Sequence, residues 1–215
     1  TDHKFLFYFI GEYTERKNIS SLIIAFLTEF HLSEDVGLVI KTHGGNPNEL
    51  SDRITKEIKQ IHGTLRLYGP GVSHPDITII TSFLPHKDLM GIHDKCDCFV
   101  MPSHGESLCI PVLNAMYLGN KVIVTRDAGM DELNFGTGGN IYSVESHQTP
   151  CVCVNPPLPY LYSARETWAN IDILGLCRAM RDAYSNPNKH ADDNKQFIED
   201  SFSYEATARK LAELL

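Results

Sequence analysis

The chain has 215 residues, a mass of 24.1 kDa and 42% hydrophobic residues, which is enough to bury one good core. No apolar run approaches the roughly 18 residues that a membrane span needs, and 27 acidic against 19 basic residues give a net charge of -8. Because a negative field repels polyanions, composition argues against nucleic acid or an anionic membrane as the main partner. We expect a globular, cytoplasmic protein without a membrane span.

The first residues carry no targeting signal. Thr1 to Lys4 lead directly into the apolar run 5–10, with no initiator Met and no signal segment with a cleavage site. We therefore expect the chain to be a mature product or a piece of a longer polypeptide.

Apolar runs and helical periodicities alternate along the first 125 residues. Strands are predicted at 5–10, 36–40, 77–80, 97–101 and 122–124, and helices at 19–30, 48–62, 85–93 and 109–118. Short, continuously apolar strands separated by helices are typical of a parallel sheet that is covered on both faces. We predict an α/β fold, a Rossmann-like parallel sheet with helices on both faces.

The remainder of the chain is less regular at first and then helical. Residues 134–165 are rich in glycine and proline, and 150–162 are predicted as a strand with an extended loop. Helices are predicted at 170–184, 188–200 and 204–215. We treat 1–215 as one domain, with 186–215 as its C-terminal helical segment.

Cysteine and histidine do not form a metal-binding pattern. The pairs Cys96/Cys98 and Cys151/Cys153 lie in apolar stretches and lack the C-x-x-C spacing of zinc ligands, so we predict buried strand residues in a reducing compartment and no metal. The ten histidines share no ligand spacing, and His104 alone lies in a loop expected to face a ligand.

Ligands of open parallel sheets bind beyond the carboxyl ends of the strands, which singles out loops 11–18, 43–47 and 102–107. The third loop ends at Glu106, and a helix is predicted to begin just past it. The backbone N–H groups of Leu108, Cys109 and Ile110 then form an anion site at a helix N-terminus. Pro111 fits the first turn of such a helix.

Glu106 beside an anion site suits hydroxyl groups better than phosphate, since a carboxylate only accepts hydrogen bonds. Sugars offer pairs of hydroxyls, and Asn114, eight residues on and about two helical turns along, reaches a second set from the same helix. This pattern predicts a sugar phosphate as ligand. The alternative, in which Glu106 merely caps or solvates a loop, stays open.

Three segments together resemble one family. Residues 83–133, with Cys-Asp-Cys-Phe-Val-Met-Pro-Ser, Gly-Glu-Ser-Leu and Asn-Ala-Met-Tyr-Leu-Gly-Asn-Lys-Val-Ile-Val-Thr, resemble the donor-binding half of the retaining, GT-B-fold glycosyltransferases of group 1, which carry an E-x7-E motif. Residues 11–26, with Lys17-Asn18 six residues past the glycine, are similar to the phosphate-binding loop of that family. Residues 202–205 and the helix after them are similar to its C-terminal region.

The resemblance implies a role for each matched position. Glu106 would hold hydroxyls of the donor sugar, Asn114 stands where a second glutamate binds the ribose, and Lys17 would pair with the donor phosphates and stabilise the departing nucleoside diphosphate. Glu106 and Lys17 are the implied catalytic residues. The implied donor-binding set is Gly11, Arg16, Lys17, Phe83, Leu84, His104, Glu106, Ser107, Leu108, Cys109, Ile110 and Asn114.

The implied activity is metal-independent, hexosyltransferase-like transfer of a sugar from a nucleotide-diphosphate sugar to an acceptor, with retention and without a cofactor. An N-terminal acceptor domain is absent from this chain, so we expect the isolated domain to be inactive alone. Two departures stand out, Asn114 in place of a carboxylate and Glu12 in place of an arginine, for which Arg16 is either a substitute or a solvated loop residue. The alternatives are a non-catalytic nucleotide-sugar-binding module and a sugar-nucleotide epimerase.

Overall fold

The computed structural model describes residues 4–65, 73–130, 140–153, 161–186 and 191–214. Its centre is a six-stranded parallel sheet with the strand order β3-β2-β1-β4-β5-β6, which confirms the predicted α/β class. The strands are β1 (Phe5–Glu12), β2 (Val36–His43), β3 (Asp76–Ile80), β4 (Cys98–Met101), β5 (Lys121–Thr125) and β6 (Ile141–Val144).

Helices flank this sheet, as right-handed crossovers between parallel strands require. They are α1 (Ile19–Glu29), α2 (Pro47–Thr64), α3 (His86–Lys95), α4 (Ile110–Tyr117), α5 (Ile173–Ser185), α6 (Ala191–Phe202) and α7 (Tyr204–Glu213). Helix α1 packs against α5, α4 against α6, and α6 against α7. From β1 the chain adds β2 and β3 on one side of the sheet and then crosses back to add β4, β5 and β6 on the other side, which places covering helices on both faces.

The central strand is buried on both sides. Phe7, Tyr8 and Phe9 are consecutive residues of β1 that point to alternating faces, and each is fully inaccessible to solvent. Phe7 contacts the rings of Phe26 and Phe30 across the α1 face. The sequence of β1 is continuously apolar and does not alternate between apolar and polar residues, because neither face of this strand contacts water.

One polar network lies inside the core. The Tyr8 hydroxyl lies 2.8 Å from His93 Nδ1, and the Asn120 side-chain amide donates both to this hydroxyl and to the carbonyl oxygen of His93. Burial lowers the pKa of His93 to about 4, so its ring is neutral at physiological pH. The network ties α3 to β1 and to the start of β5.

The segment after β6 differs from the prediction. Residues 170 and 171 belong to strand β8 (Thr167–Ile171), which pairs antiparallel with β7 (Ser146–Pro150) in a separate two-stranded sheet. The prediction that a helix begins at 170 was wrong, because Asp172 is the cap that starts α5 and its carboxylate accepts from the N–H of Gly175. Of the extended loop predicted at 150–162, residues 154–160 lie outside the described residues, as do 188–190 and Leu215 of the predicted C-terminal helices.

All six cysteines are free thiols. Cys98 lies in β4 and Cys96 at the end of α3, both buried, whereas Cys151 and Cys153 follow the end of β7. Only Cys98 of the two C-x-C pairs is therefore a strand residue. The predicted strand environment was wrong for Cys96, which is the C-cap of α3, and for the second pair, because β7 ends at Pro150.

Candidate functional site

The candidate site lies where the strand order reverses. Strands β1 and β4 are neighbours in the sheet, yet β1 leads to β2 on one side and β4 leads to β5 on the other, and such a switch point opens a crevice at the carboxyl ends of the strands. The loops that follow β1 and β4 are joined there. The N–H of His104 and the hydroxyl of Ser103 both donate to the carbonyl oxygen of Arg16, at 2.8 and 2.9 Å.

A single turn of 3-10 helix, Glu15–Lys17, shapes the first of these loops. We call it the 15–17 turn. It ends at Asn18, whose φ of 52° is left-handed, a conformation that asparagine tolerates better than most residues. The Asn18 amide donates to the carbonyl oxygen of Pro102 at 3.2 Å. This turn therefore delivers Arg16 and Lys17 to the loop after β4.

Arg16, Lys17 and Glu106 form a charge cluster at this point. Oxygen Oε1 of Glu106 lies 2.7 Å from Arg16 Nη1, 2.7 Å from Lys17 Nζ and 2.8 Å from the hydroxyl of Ser103. The side chains of Glu106 and Lys17 are only 8% and 11% exposed. Within the described residues, Oε2 of the same carboxylate has no hydrogen-bond partner. Arg16 is thus a member of the cluster, although its side chain is 37% exposed.

Gly129 fixes the backbone of Glu106 and was not singled out from the sequence. The N–H of Glu106 donates to the carbonyl oxygen of Ala128 at 2.7 Å. Gly129 follows with φ of +90°, and a Cβ atom there would lie 2.1 Å from the carbonyl oxygen of Glu106. Only glycine combines this conformation with so close an approach. The glycine in Ala-Gly-Met after β5 was the sequence signal for it.

Helix α4 begins at Ile110, one residue after the start predicted at 109. Cys109 precedes it as N-cap with a left-handed φ of 47°, and Pro111 lies in the first turn as predicted. Over the part of the chain that the structure describes, the N–H groups of Ser107, Leu108, Cys109 and Ile110 donate to no protein atom. Four unpaired donors next to a helix N-terminus suit an anion.

The thiol of Cys109 takes no part as an anion at neutral pH. The side chain is 7% exposed, and burial, reinforced by the charge of Glu106, raises its pKa to about 12. A protonated thiol is a poor nucleophile. Cys109 therefore offers a ligand its backbone N–H, whereas its thiol stays neutral.

Four further residues of the predicted site lie at the same edge of the sheet and make no hydrogen bond or ion pair with the charge cluster: Asn114, Phe83, Leu84 and Gly11. Asn114 is one turn along α4 from Ile110 and is partly exposed. Phe83, 90% exposed, and Leu84 follow β3, which is three strand positions from β4 and thus about 14 Å away. Gly11 lies near the end of β1, where a Cβ atom would meet the ring of Phe9 at 2.8 Å.

The ring of His104 contacts strand β8. Its ring stacks on Trp168 of β8 with centroids 4.4 Å apart, and its Nδ1 donates to the carbonyl oxygen of Ala169 at 2.7 Å. Burial lowers the pKa of His104, which favours its neutral form. The structure therefore joins β8 to the loop after β4 through His104.

Two kinds of feature are absent from the described residues. No group of three or more His, Cys, Asp or Glu side chains in the described ranges is arranged to hold a metal ion. No helix in those ranges combines the length and the apolar character that crossing a membrane requires.

The fold and one segment of the sequence match known proteins. Residues 73–148 match the family model described as glycosyl transferases group 1. The C-terminal domain of a glycosyl transferase group 1 family protein from Francisella tularensis aligns with 94% of this chain and 88% of its own, at a TM-score of 0.65 and 16% identity. No curated protein matches the chain in sequence.

Two larger proteins share the fold over nearly the whole chain. Sucrose-phosphate synthase from Thermosynechococcus elongatus matches 98% of the chain at a TM-score of 0.67 and 17% identity, and Anabaena HepE in complex with UDP matches 99% at 0.66 and 14%. The chain spans 44% and 48% of these two structures. Residues 73–148 thus carry the sequence pattern of group 1 glycosyltransferases, on a chain with the fold of a C-terminal domain from that group.

Proposed function

We propose that this chain is the donor-binding domain of a group 1 glycosyltransferase and that it binds a nucleotide-diphosphate sugar. The observation that carries the proposal is the charge cluster of Arg16, Lys17 and Glu106 at the switch point of the sheet. The segment that matches the family model contains Glu106 and the four unpaired N–H groups beside it. The Anabaena relative of the same fold was solved with UDP.

The cluster suits a diphosphate that departs with negative charge. Arg16 and Lys17 supply two cations, whereas Glu106 supplies one anion, so the cluster keeps a net positive charge within a chain of net charge -8. The N–H groups of 107–110 add donors at fixed positions. Cations and oriented amides that stabilise the charge developing on a leaving group lower the barrier to transfer.

Glu106 has one oxygen available for the sugar. Its Oε1 is occupied by Arg16, Lys17 and Ser103, whereas Oε2 accepts no hydrogen bond within the described residues. A carboxylate oxygen accepts from a sugar hydroxyl without needing to donate. The cations therefore orient the carboxylate, and the free oxygen recognises the transferred sugar.

The finer assignments extend the proposal. Asn114 binds the ribose through an uncharged amide, and the backbone at Phe83 and Leu84 reads the base. Transfer proceeds with retention and without a metal ion, and an acceptor domain from outside residues 1–215 completes the cleft. The full-length relatives support a second domain, since this chain spans less than half of two of them.

A titration of the chain with UDP, GDP, ADP and UDP-glucose by isothermal calorimetry tests the proposal. One nucleotide should bind, and Lys17→Gln should weaken it by about tenfold or more, because a hydrogen bond between charged groups contributes about 1.5–3 kcal/mol. Lys59→Gln, an exposed lysine on α2, is the matched control and should bind as the unmodified chain does. Binding of none of these nucleotides would refute the proposal.

Asn114 favours a second candidate function, a nucleotide-sugar-binding module without transferase activity. An amide in place of a carboxylate also donates and carries no charge, which weakens its hold on paired ribose hydroxyls. If the module has lost donor affinity in this way, Asn114→Glu should raise nucleotide affinity severalfold. An unchanged affinity for that variant would remove the observation that favours this candidate.

A further inference from the structure

Near the end of strand β2, one lysine is buried without a counter-ion. Lys41 is only 6% exposed, and its ammonium donates to the carbonyl oxygen of Thr42 at 2.8 Å. Among the residues that the structure describes, it forms no ion pair and no second hydrogen bond. Burial lowers the pKa of Lys41, because a charge removed from water is destabilised unless a partner compensates it. An ammonium has three donors, so two of them are left for a ligand.

The ammonium of Lys41 lies at the carboxyl edge of the sheet, where parallel sheets bind their ligands. Lys41 and Ile80 form the last pair between β2 and β3, and β3 ends at Ile80. The ammonium reaches the carbonyl oxygen of Thr42, one residue beyond that last pair. It therefore lies beside the start of the loop after β3. In that loop Phe83, three residues after Ile80, is 90% exposed.

Lys41 is on the face of the sheet that α3 and α4 cover. In register it lies beside Ile10 of β1, and Ile10 shares its face with Tyr8, two residues earlier. The Tyr8 hydroxyl contacts His93 of α3, and α3 packs against α4. Asn114, to which the proposed function assigns the ribose, belongs to α4. Lys41 and the proposed ribose site therefore share one face of the sheet.

A nucleotide held by the charge cluster has its base on the side of Lys41. The cluster lies where β1 and β4 meet, and Lys41 lies on β2, so the two are separated by about two strand spacings, or about 10 Å. With the diphosphate at the cluster and the ribose beside α4, the base is the part of the ligand that is farthest from the cluster. It is therefore the group that reaches the buried ammonium.

An ammonium distinguishes nucleobases by the acceptors that they present. Lysine only donates hydrogen bonds. Guanine presents a carbonyl oxygen at its edge, as thymine and uracil do, whereas adenine presents an amino donor at the position of the guanine oxygen. A buried donor that loses its partner costs more free energy than an exposed one, because water does not replace the partner. A base that turns an amino group toward Lys41 is therefore disfavoured.

We propose that Lys41 selects the base of the donor by donating a hydrogen bond to a carbonyl oxygen of uracil or guanine, at the expense of adenine. The inference rests on the proposed function, since it needs the nucleotide that the charge cluster binds. No covalent step is assigned to Lys41. It determines which nucleotide binds and takes no part in the transfer.

Calorimetric titration of the 215-residue chain with UDP, GDP and ADP tests the inference. UDP or GDP should bind about tenfold or more tightly than ADP, the effect of one hydrogen bond from a charged group. Lys41→Met keeps the length of the side chain and removes the ammonium, so the ratio of the ADP dissociation constant to that of the preferred nucleotide should approach one. Lys59→Met, which removes an exposed lysine of α2, is the matched control and should keep the preference.

Lys41→Gln gives a second readout of the same contact. An amide both donates and accepts, so it can pair with the amino group of adenine, and the preference against ADP should narrow in this variant too. Circular dichroism checks that each variant folds as the parent chain does. Methionine in place of a buried, unpaired cation should leave the fold intact, because no charge then has to be desolvated.

The same titrations separate the inference from the proposed function. Equal or tighter binding of ADP to the parent chain would overturn the inference and leave the proposed function standing. An equal loss of affinity for all three nucleotides and for inorganic pyrophosphate in Lys41→Met would do the same, because the ammonium would then act on the phosphates. Binding of no nucleotide would refute the proposed function, and the inference with it.

Discussion

Replacing Glu106 with glutamine should raise the affinity for free UDP and lower the preference for UDP-sugar over UDP. In the structure, Glu106 is the internal counter-ion of Arg16 and Lys17, so a diphosphate must compete with it for both cations. The variant Glu106→Gln keeps the size of the side chain and removes the charge. The two cations are then released for phosphate, while the sugar loses a carboxylate acceptor.

The distances set the scale of this competition. Each cation lies 2.7 Å from Oε1 of Glu106, and two unit charges at that distance interact with about 6 kcal/mol at an effective dielectric constant of about 20. Most of this gross attraction is offset by the desolvation of the charges. We expect that removing the charge of Glu106 improves the free energy of UDP binding by about 1–2 kcal/mol, which corresponds to roughly a tenfold gain in UDP affinity.

Calorimetric titration of UDP and UDP-glucose at one fixed ionic strength measures both effects, with Glu199→Gln on α6 as the control of equal charge change. The ratio of the two dissociation constants should move toward unity in Glu106→Gln. A parallel loss of both affinities would refute the reasoning, because it would mean that Glu106 holds the cations in place for the phosphates and does not compete with them.

The remaining predictions concern stability. Gly129→Ala should lower the free energy of unfolding by about 2 kcal/mol or more and weaken UDP-glucose binding, since the new Cβ would overlap the carbonyl oxygen of Glu106. An unchanged free energy of unfolding, measured by urea denaturation, would contradict this prediction. The free energy of unfolding should fall as the pH drops from about 6.5 toward 4, because the pKa of His93 is lowered to about 4 in the fold and the unfolded chain binds the extra proton. The loss is at most about 3 kcal/mol. In His93→Gln the free energy of unfolding should depend less on pH over this range. Cys109→Val should lower the free energy of unfolding by about 2 kcal/mol, whereas Cys109→Gly should change it by no more than about 1 kcal/mol, since residue 109 has a left-handed φ of 47° that glycine adopts easily. Equal losses of stability in the two variants, measured by thermal denaturation, would show that packing outweighs backbone strain.

The parallel sheet was predictable because its strands are buried on both faces. The run 5–10 contains no polar residue, and the residues from Ile19 onward show an apolar stripe at helical spacing. The predicted bounds of both elements therefore agree with the structure within about two residues. Strand β8 was missed for the opposite reason. Thr167–Ile171 is short, half-polar and placed directly before a capped helix, so its residues carry no strand pattern of their own.

The charge cluster was only partly predictable. The positions of Lys17 and Glu106 at strand ends indicated a site, but a sequence does not show that both cations bind the same carboxylate oxygen. The support from Gly129 depends on a close approach between two loops, and Gly129 lies 23 residues after Glu106 in the sequence.

The 15–17 turn contains only three residues, yet it joins two strand ends through both its side chains and its backbone. Arg16 and Lys17 bind one carboxylate oxygen of Glu106, and the carbonyl oxygen of Arg16 accepts from His104 and Ser103 of the loop after β4. The two loops therefore form one structural unit. A substitution that unwinds this turn would remove both cations from Glu106 and release the backbone of the loop that carries it in a single event.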